Sequence, residues 1–428
     1  MTKAALIPTK MQAEIICIGD ELLIGQTINT NAGWLGEQLN GAGIKVARTI
    51  VIADDREDIL AVLDEASTRS QLIIITGGLG PTKDDITKKT LCEYFGSTLV
   101  IHRPTLERVT AFFVSKNVPL LETNKQQALV PDNCTVIDNV RGTAPGMWFE
   151  KNGVVVVSMP GVPYEMKGIM EDGLLDKIKT HFKRPEIVHR TILTIGIGES
   201  ILAEKISSWE DSLAEHNIKL AYLPSPGMVK LRMSCYNAEA EGNLPAVMEQ
   251  KEEELNKLAG EYIYGHDKET LEEIVGKLLL AQNKTLSVAE SCTGGSISRL
   301  ITSVEGCSAY YKGGVTSYLN EIKTQVLGVK ETTIADKGVV SCEVAEEMAA
   351  GVRKLMGTDF SISTTGIAGP SGGTAEITVG TVCIAVAGPS GIRSARFKFG
   401  TNRLRNIEMT TNTALNLLRK EILESNAC

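Results

Sequence analysis

Short apolar runs alternate with amphipathic stretches along residues 12–182. "AEIICIG" leads into a helical pattern from Asn31 to Leu39, then "IKVARTIVI", a helix opened by Asp55, and the β-branched run "QLIIIT". Apolar runs of strand length that alternate with helices predict a parallel sheet covered by helices. Near Pro185 the rhythm changes. Strand "HRTILTIGI", helix "SILAEKISSWEDSLAEH", strands "KLAYLPS" and "VKLRMSCYN", and a charged helix through "LPAVMEQKEEELNKLAG" predict a small α+β unit over 183–266. The charges of that last helix read as a solvated face. From Leu271 the helix "LEEIVGKLLLAQN" opens a third, α/β unit over 268–428, and the polar "YGHDKET" before it reads as a linker. No short-period repeat interrupts this division.

Composition narrows the class. At 428 residues the chain is long enough for two or three domains, and 43% hydrophobic with 22% charged residues is globular composition. The net charge of −8 argues against a nucleic-acid partner. Nine cysteines without a C-x-x-C pair give neither a disulfide framework nor a zinc module, and suggest a reducing compartment. No apolar run approaches the ~18 residues of a membrane span. The opening "MTKAALIPTK" is too polar for a signal peptide and reads as a ragged end, so a cytoplasmic protein is expected.

Two regions carry candidate chemistry. After strand 72–76, "TGGLGPTKDDITKKTL" offers Gly77, Gly78 and Gly80 for close backbone approach to phosphate, Thr82 to cap or bind, and Asp84 and Asp85 at a helix start. "GDELLIGQTINTN" follows the first strand, and loops at strand ends of one parallel sheet converge on a ligand crevice. Asp20, Glu21, Asp84 and Asp85 there suit a divalent ion holding a pyrophosphate, with "RGTAPGM" and "MPGVPYEM" adding turns. A glycine turn with an acidic helix cap accounts for the same charges. The second region is "LSVAESCTGGSISRLI", residues 286–301. It is either a tight turn with a small-residue cap or a nucleophile beside a donor-rich helix start.

"GDELLIGQ", "GGLGPTKDD", "GTAPGM" and "PGVPYEM" resemble the signature loops of the CinA family, whose N-terminal domain is similar to the molybdopterin-binding fold. "VAESCTGGSI", "SYLNEIKTQVLGV", "GVVSCEVAEEMA" and "STTGIAGPSGGT" resemble that family's nicotinamide-nucleotide amidase domain. The middle unit resembles its KH-like domain, but has neither a basic balance nor a clear G-x-x-G clamp, so no nucleic-acid partner is expected. The resemblance covers nearly the whole chain. It implies an α/β protein of three units: a molybdopterin-binding-like three-layer domain, an α+β linker domain and an α/β amidase domain. It further implies release of ammonia from nicotinamide mononucleotide, and metal-dependent cleavage of ADP-ribose. The N-terminal ion, held by Asp84, Asp85 and Asp20, is expected to be magnesium, manganese or cobalt, with potassium as a further candidate. No cofactor is expected for the amidase. The partners are small nucleotides and a second copy of the chain, with no membrane. A pterin- or nucleotide-binding regulatory protein with little catalysis is the alternative.

Within the amidase motifs Ser291 is the hydroxyl available as nucleophile. No histidine lies in them, which disfavours a Ser-His-Asp triad and favours serine with lysine. Lys323 is the matching position, with Tyr318 to relay or position the proton, and Asn320 as N-cap putting Lys323 in a first helical turn. Cys292 is the competing nucleophile. Helix donors after Gly294 are expected to stabilise the oxyanion. Thr365 and Gly366 are expected to bind substrate, and Arg405, with Arg403 close in sequence, the phosphate. The run "EITVGTV" lacks a lysine and a proline usual in the family.

Overall fold

The structure is a computed structural model that describes residues 11–80, 82, 85–182, 188–235 and 243–425. The opening decapeptide and Asp84 therefore lie outside the described residues. By packing, the chain divides into two units at Val188/His189.

The first unit carries eight strands: β1 (Gln12–Ile18), β2 (Lys45–Ile52), β3 (Leu72–Thr76), β4 (Leu99–Ile101), β5 (Leu129–Pro131), β6 (Thr135–Ile137), β7 (Gly146–Lys151) and β8 (Val154–Met159). Six of them form a sheet in the order β2-β1-β3-β8-β7-β6, and β4 and β5 pair separately. β3 and β8 are buried along their whole length because helices cover both faces, so their sequences carry no polar alternation. Separate apolar clusters lie on the two sides, one around Leu35, Leu39 and Met166, the other around Ile59, Leu63 and Leu91. The helix expected over 31–39 runs from Thr30 to Gly41, with the Asn29 side chain accepting from the Ala32 N–H. Asp55 caps the next helix through the Glu57 and Asp58 N–H groups, as its position suggested.

The sheet is not wholly parallel. β2, β1, β3 and β8 run parallel, but β7 pairs antiparallel with β8, and β6 antiparallel with β7. The reversal comes from Asn152 and Gly153, both at positive φ, a two-residue hairpin turn that the apolar pattern does not reveal. The parallel part still sets the site, since Ile18, Thr76 and Met159 end side by side.

The second unit begins with β9 (Val188–Ile195), β10 (Lys219–Ser225), β11 (Met228–Cys235) and β12 (Ile263–His266), ordered β10-β11-β9-β12, with helices Glu199–Leu213 and Leu244–Ala259. β13 (Leu286–Glu290), β14 (Tyr311–Thr316), β15 (Phe360–Gly366), β16 (Thr381–Gly388) and β17 (Gly391–Lys398) form a second sheet, β14-β13-β15-β16-β17. Its first three strands are parallel and its last two antiparallel. The two sheets share one core: Leu193, Ile195 and Tyr264 pack with Leu271, Val275, Leu415 and Leu418. The long helix Arg403–Ser425 adds polar ties, Asn412 Nδ2 donating to the Pro226 carbonyl and Arg419 Nη1 to the Ile263 carbonyl. The expected linker "YGHDKET" is instead the end of strand β12, a turn with Asp267 at φ 53°, and Thr270 capping the next helix. Its polar residues make local hydrogen bonds, which is why it reads as a linker. No helix of the described residues is long and apolar enough to cross a membrane.

Candidate functional site

β13 is fully buried and ends at Glu290, from which the chain turns through Gly294 and Gly295 at positive φ. The Glu290 carboxylate accepts from the Gly295 and Ile297 N–H groups through Oε2, at 3.0 and 3.1 Å. Its Oε1 accepts from the Ser298 N–H and hydroxyl, at 2.9 and 2.7 Å. The helix donors expected to stabilise an oxyanion are thus occupied by a side chain. A buried acid closing an apolar strand was the signal in the sequence.

Ser291 and Lys323 come together. Lys323 Nζ lies 3.2 Å from Ser291 Oγ, 2.7 Å from the Ser317 carbonyl and 3.4 Å from the Tyr318 carbonyl. Lys323 is 1% exposed, and burial lowers its pKa. A neutral amine donates two N–H groups and keeps one lone pair, so two carbonyls leave that lone pair for the serine proton. The helix carrying it begins at Asn320 with Leu319 as N-cap, which has no capping side chain. Asn320 is therefore the first helical residue and not the cap; Lys323 remains in the first turn.

Cys292 lies close enough to Lys323 to interact electrostatically, but as a thiol it is a poor nucleophile here. It packs in the apolar core with Ile297 and Ile362, and burial pushes its thiol pKa up to about 12. Such a thiol is almost entirely protonated at neutral pH, and the thiolate is the reactive form.

Tyr318 is exposed, and its hydroxyl accepts from Arg403 Nη2 at 3.0 Å. Its carbonyl reaches Lys323, while its hydroxyl, expected to relay or position the proton, is engaged by Arg403 instead. Arg403 Nη1 also donates to the Gly369 carbonyl at 2.9 Å. Both arginines are exposed, but the Arg403 guanidinium is held at the site loops, while for Arg405 it is the backbone N–H that bonds to Asn402. One helical turn does not place both on one side. Thr365 is buried and its hydroxyl donates to the Val339 carbonyl, so it is not a free substrate donor. A Cβ at Gly366 would lie 2.7 Å from Val382 Cγ2, so packing requires this glycine. Ser317, overlooked in the sequence, supplies the nearest acceptor of Lys323, and its own buried hydroxyl has no partner among the described residues.

In the first unit, the loops after β1, β3 and β8 and the 143–144 segment enclose a cavity of about 560 Å³. Gly77, Gly78 and Gly80 line it. At Gly78 (φ +62°) a Cβ would sit 2.1 Å from Thr87 Oγ1, and at Gly77 2.1 Å from the Ile18 carbonyl, so only glycine fits either position. Asp85 lines the cavity, yet Oδ1 accepts from the Gly80 N–H at 2.8 Å and Oδ2 from the Thr82 N–H at 2.8 Å and the Thr82 hydroxyl. Both residues therefore shape the glycine loop. Asp20 is exposed and does not line the cavity; its neighbour Glu21 does. Among the described residues no three His, Cys, Asp or Glu side chains gather as a metal site. Asp84, the third expected ligand, lies outside those residues. Lys88, half-buried nearby, donates to the Gln127 carbonyl at 2.9 Å, and desolvation lowers its pKa to about 8.

Family models match nearly all of the chain: a probable molybdopterin binding domain over residues 14–180, the damage-inducible protein CinA KH domain over 189–265, and the CinA C-terminal domain over 268–422. A CinA-like protein of Flavobacterium psychrophilum is 48% identical over 417 residues, 97% of this chain and 99% of its own. One of Cytophaga hutchinsonii is 47% identical over 416 residues, with coverage of 97% and 99%. Among solved structures, CinA of Thermoplasma acidophilum matches 40% of this chain and 98% of its own, at 33% identity and TM-score 0.36. A competence/damage inducible protein of Agrobacterium tumefaciens matches 35% and 91%, at 35% identity and TM-score 0.34. Full-length similarity in sequence, with all three domains in order, identifies this chain as a member of the CinA family.

Proposed function

We propose that the second unit hydrolyses the amide of nicotinamide mononucleotide to nicotinate mononucleotide and ammonia. The observation that carries this reading is the Ser291–Lys323 pair: a buried amine, lowered in pKa, 3.2 Å from a serine hydroxyl. Lys323 takes the serine proton as Oγ bonds to the amide carbon, and the carbonyl π electrons move onto oxygen. Collapse of the tetrahedral adduct breaks the C–N bond as the Lys323 ammonium gives its proton to the leaving amide nitrogen, which departs as ammonia. Lys323 then activates water against the Ser291 ester, which releases the carboxylate. The Thr293 N–H has no acceptor among the described residues and is our candidate for the oxyanion. Arg403, held between Tyr318 and Gly369, is our candidate for the substrate phosphate. Ammonia release from nicotinamide mononucleotide by the full chain tests the reading. Turnover abolished in Ser291→Ala supports it; no ammonia from the unaltered protein would favour a binding or regulatory protein.

For the first unit we propose binding of a pyrophosphate-bearing nucleotide, with ADP-ribose as substrate. Its support is the pair of glycines, Gly77 and Gly78, which line the cavity in a backbone arrangement that only glycine fits. Gly78→Ala should remove ADP-ribose binding and cleavage while ammonia release continues. Persistence of binding in that variant would remove the glycine loop from the site.

A further inference from the structure

The helix Cys342–Met356 packs closely on one face of the second sheet. Cys342, Ala345 and Ala349 share one side of that helix, because they recur at helical spacing. From β15, Ser361 Oγ donates to the Ala349 carbonyl at 2.7 Å, Ser363 Oγ to the Ala345 carbonyl, and Thr365 Oγ to the Val339 carbonyl at 2.8 Å. From β16, Ala387, Ala385 and Cys383 stand opposite those three residues, and all are fully buried. The small side chains let helix and sheet approach, and the row of alanines ends at two cysteines. Cys342, the first helical residue and half-buried, packs in the same apolar cluster as Cys383, and the two thiols hydrogen-bond to each other. The Arg396 guanidinium, opposite Cys383 on β17, reaches the Cys383 sulfur. Close packing by itself asks only for small side chains, and alanine meets that need at 345 and 385. The proposed amidase chemistry uses neither thiol.

We propose that Cys342 and Cys383 are an oxidative modification site, a dithiol that hydrogen peroxide closes into a disulfide between helix and sheet. Cys342 meets the oxidant first, since Cys383 is sealed from solvent. The Cys342 sulfur attacks one peroxide oxygen, the O–O bond breaks, and a sulfenic acid and water form. The Cys383 sulfur then attacks the Cys342 sulfur. The S–S bond forms as the S–O bond breaks, and the hydroxyl leaves as water with the Cys383 proton. The two thiols together lose a pair of electrons, which the peroxide takes up. Burial pushes the Cys383 thiol up to about 11, so it stays a thiol until Cys342 is oxidised, and Arg396 favours its thiolate as the proton leaves. In reducing surroundings the pair rests as the dithiol, and only an oxidant closes it.

The test is thiol mapping of the full chain. The reduced protein is treated with hydrogen peroxide, its remaining thiols are alkylated in denaturant, and peptides are mapped by mass spectrometry without reductant. A linked pair of peptides carrying Cys342 and Cys383 is expected, lighter by two hydrogens than the separate peptides and parted by dithiothreitol. In Cys342→Ala the link should vanish, and Cys383 should be alkylated as fully as in untreated protein, because no oxidant reaches it. In Cys383→Ala, Cys342 should be trapped as its sulfenic acid by dimedone. Cys342 is half-buried at a helix start, so its variant keeps the test open where Cys383→Ala misfolds. Peroxide that leaves both thiols alkylatable would overturn the proposal. So would oxidation of Cys342 to the sulfinic acid without a link. A link between Cys92 and Cys134, the interacting thiols of the first unit, with Cys342 and Cys383 both unlinked, would overturn it equally.

Discussion

Replacing Lys323 tests the amidase reading most directly. The side chain is 1% exposed, and its Nζ faces Ser291 Oγ and the carbonyls of Ser317 and Tyr318. Two separate losses follow from Lys323→Met. Removing a positioned general base costs about 100- to 10,000-fold in turnover. It also leaves the Ser317 carbonyl without this donor, at a stability cost of about 1–3 kcal/mol. Methionine fills the space, so the fold should survive and the two losses are separable. Ammonia release reports the first, and denaturant unfolding the second. Lys323→Arg should not restore turnover, because its guanidinium stays protonated. In the unaltered protein kcat/KM should rise with pH through the lowered Lys323 pKa, since only the neutral amine accepts a proton. The stability sign agrees. A lysine whose folded pKa lies below its unfolded value binds fewer protons when folded between the two, so stability rises with pH across that window and the deficit is largest below it. Turnover near the unaltered level in Lys323→Met, with the protein folded, would refute the serine–lysine assignment.

Ser291→Ala should abolish ammonia release, whereas Cys292→Ala should keep most of it and lose some stability, because that thiol packs in the core; an acyl adduct trapped on Cys292 would reverse the assignment. Arg403→Ala should raise KM for nicotinamide mononucleotide about 10-fold or more with a smaller change in kcat, and Arg405→Ala should leave both near normal; the opposite result would restore Arg405 as the phosphate ligand. Glu290→Ala removes the acceptor of three backbone N–H groups and one hydroxyl, and should lower unfolding stability by at least about 2 kcal/mol; an unchanged unfolding midpoint would show that water replaces the carboxylate.

The sequence alone determined the order of elements, because apolar runs and helical periods are local signals. Residues 72–76 had to be a buried strand, and Asp55 a helix cap. It also placed Ser291 at a turn between strand and helix, where glycines at positive φ were needed. The pairing of Ser291 with Lys323 was legible only through resemblance, since 32 positions separate them and no spacing rule links them. Tertiary structure decided the rest. Whether a hydroxyl or an N–H is free depends on its neighbours in space: Glu290 occupies the helix donors, Val339 the Thr365 hydroxyl and Thr82 the Asp85 carboxylate. Which of two arginines meets the site depends on the rotation of one helix about its axis. The common core of the middle and C-terminal segments was likewise hidden. An apolar strand face reads the same in sequence whether it covers its own helix or a neighbouring sheet.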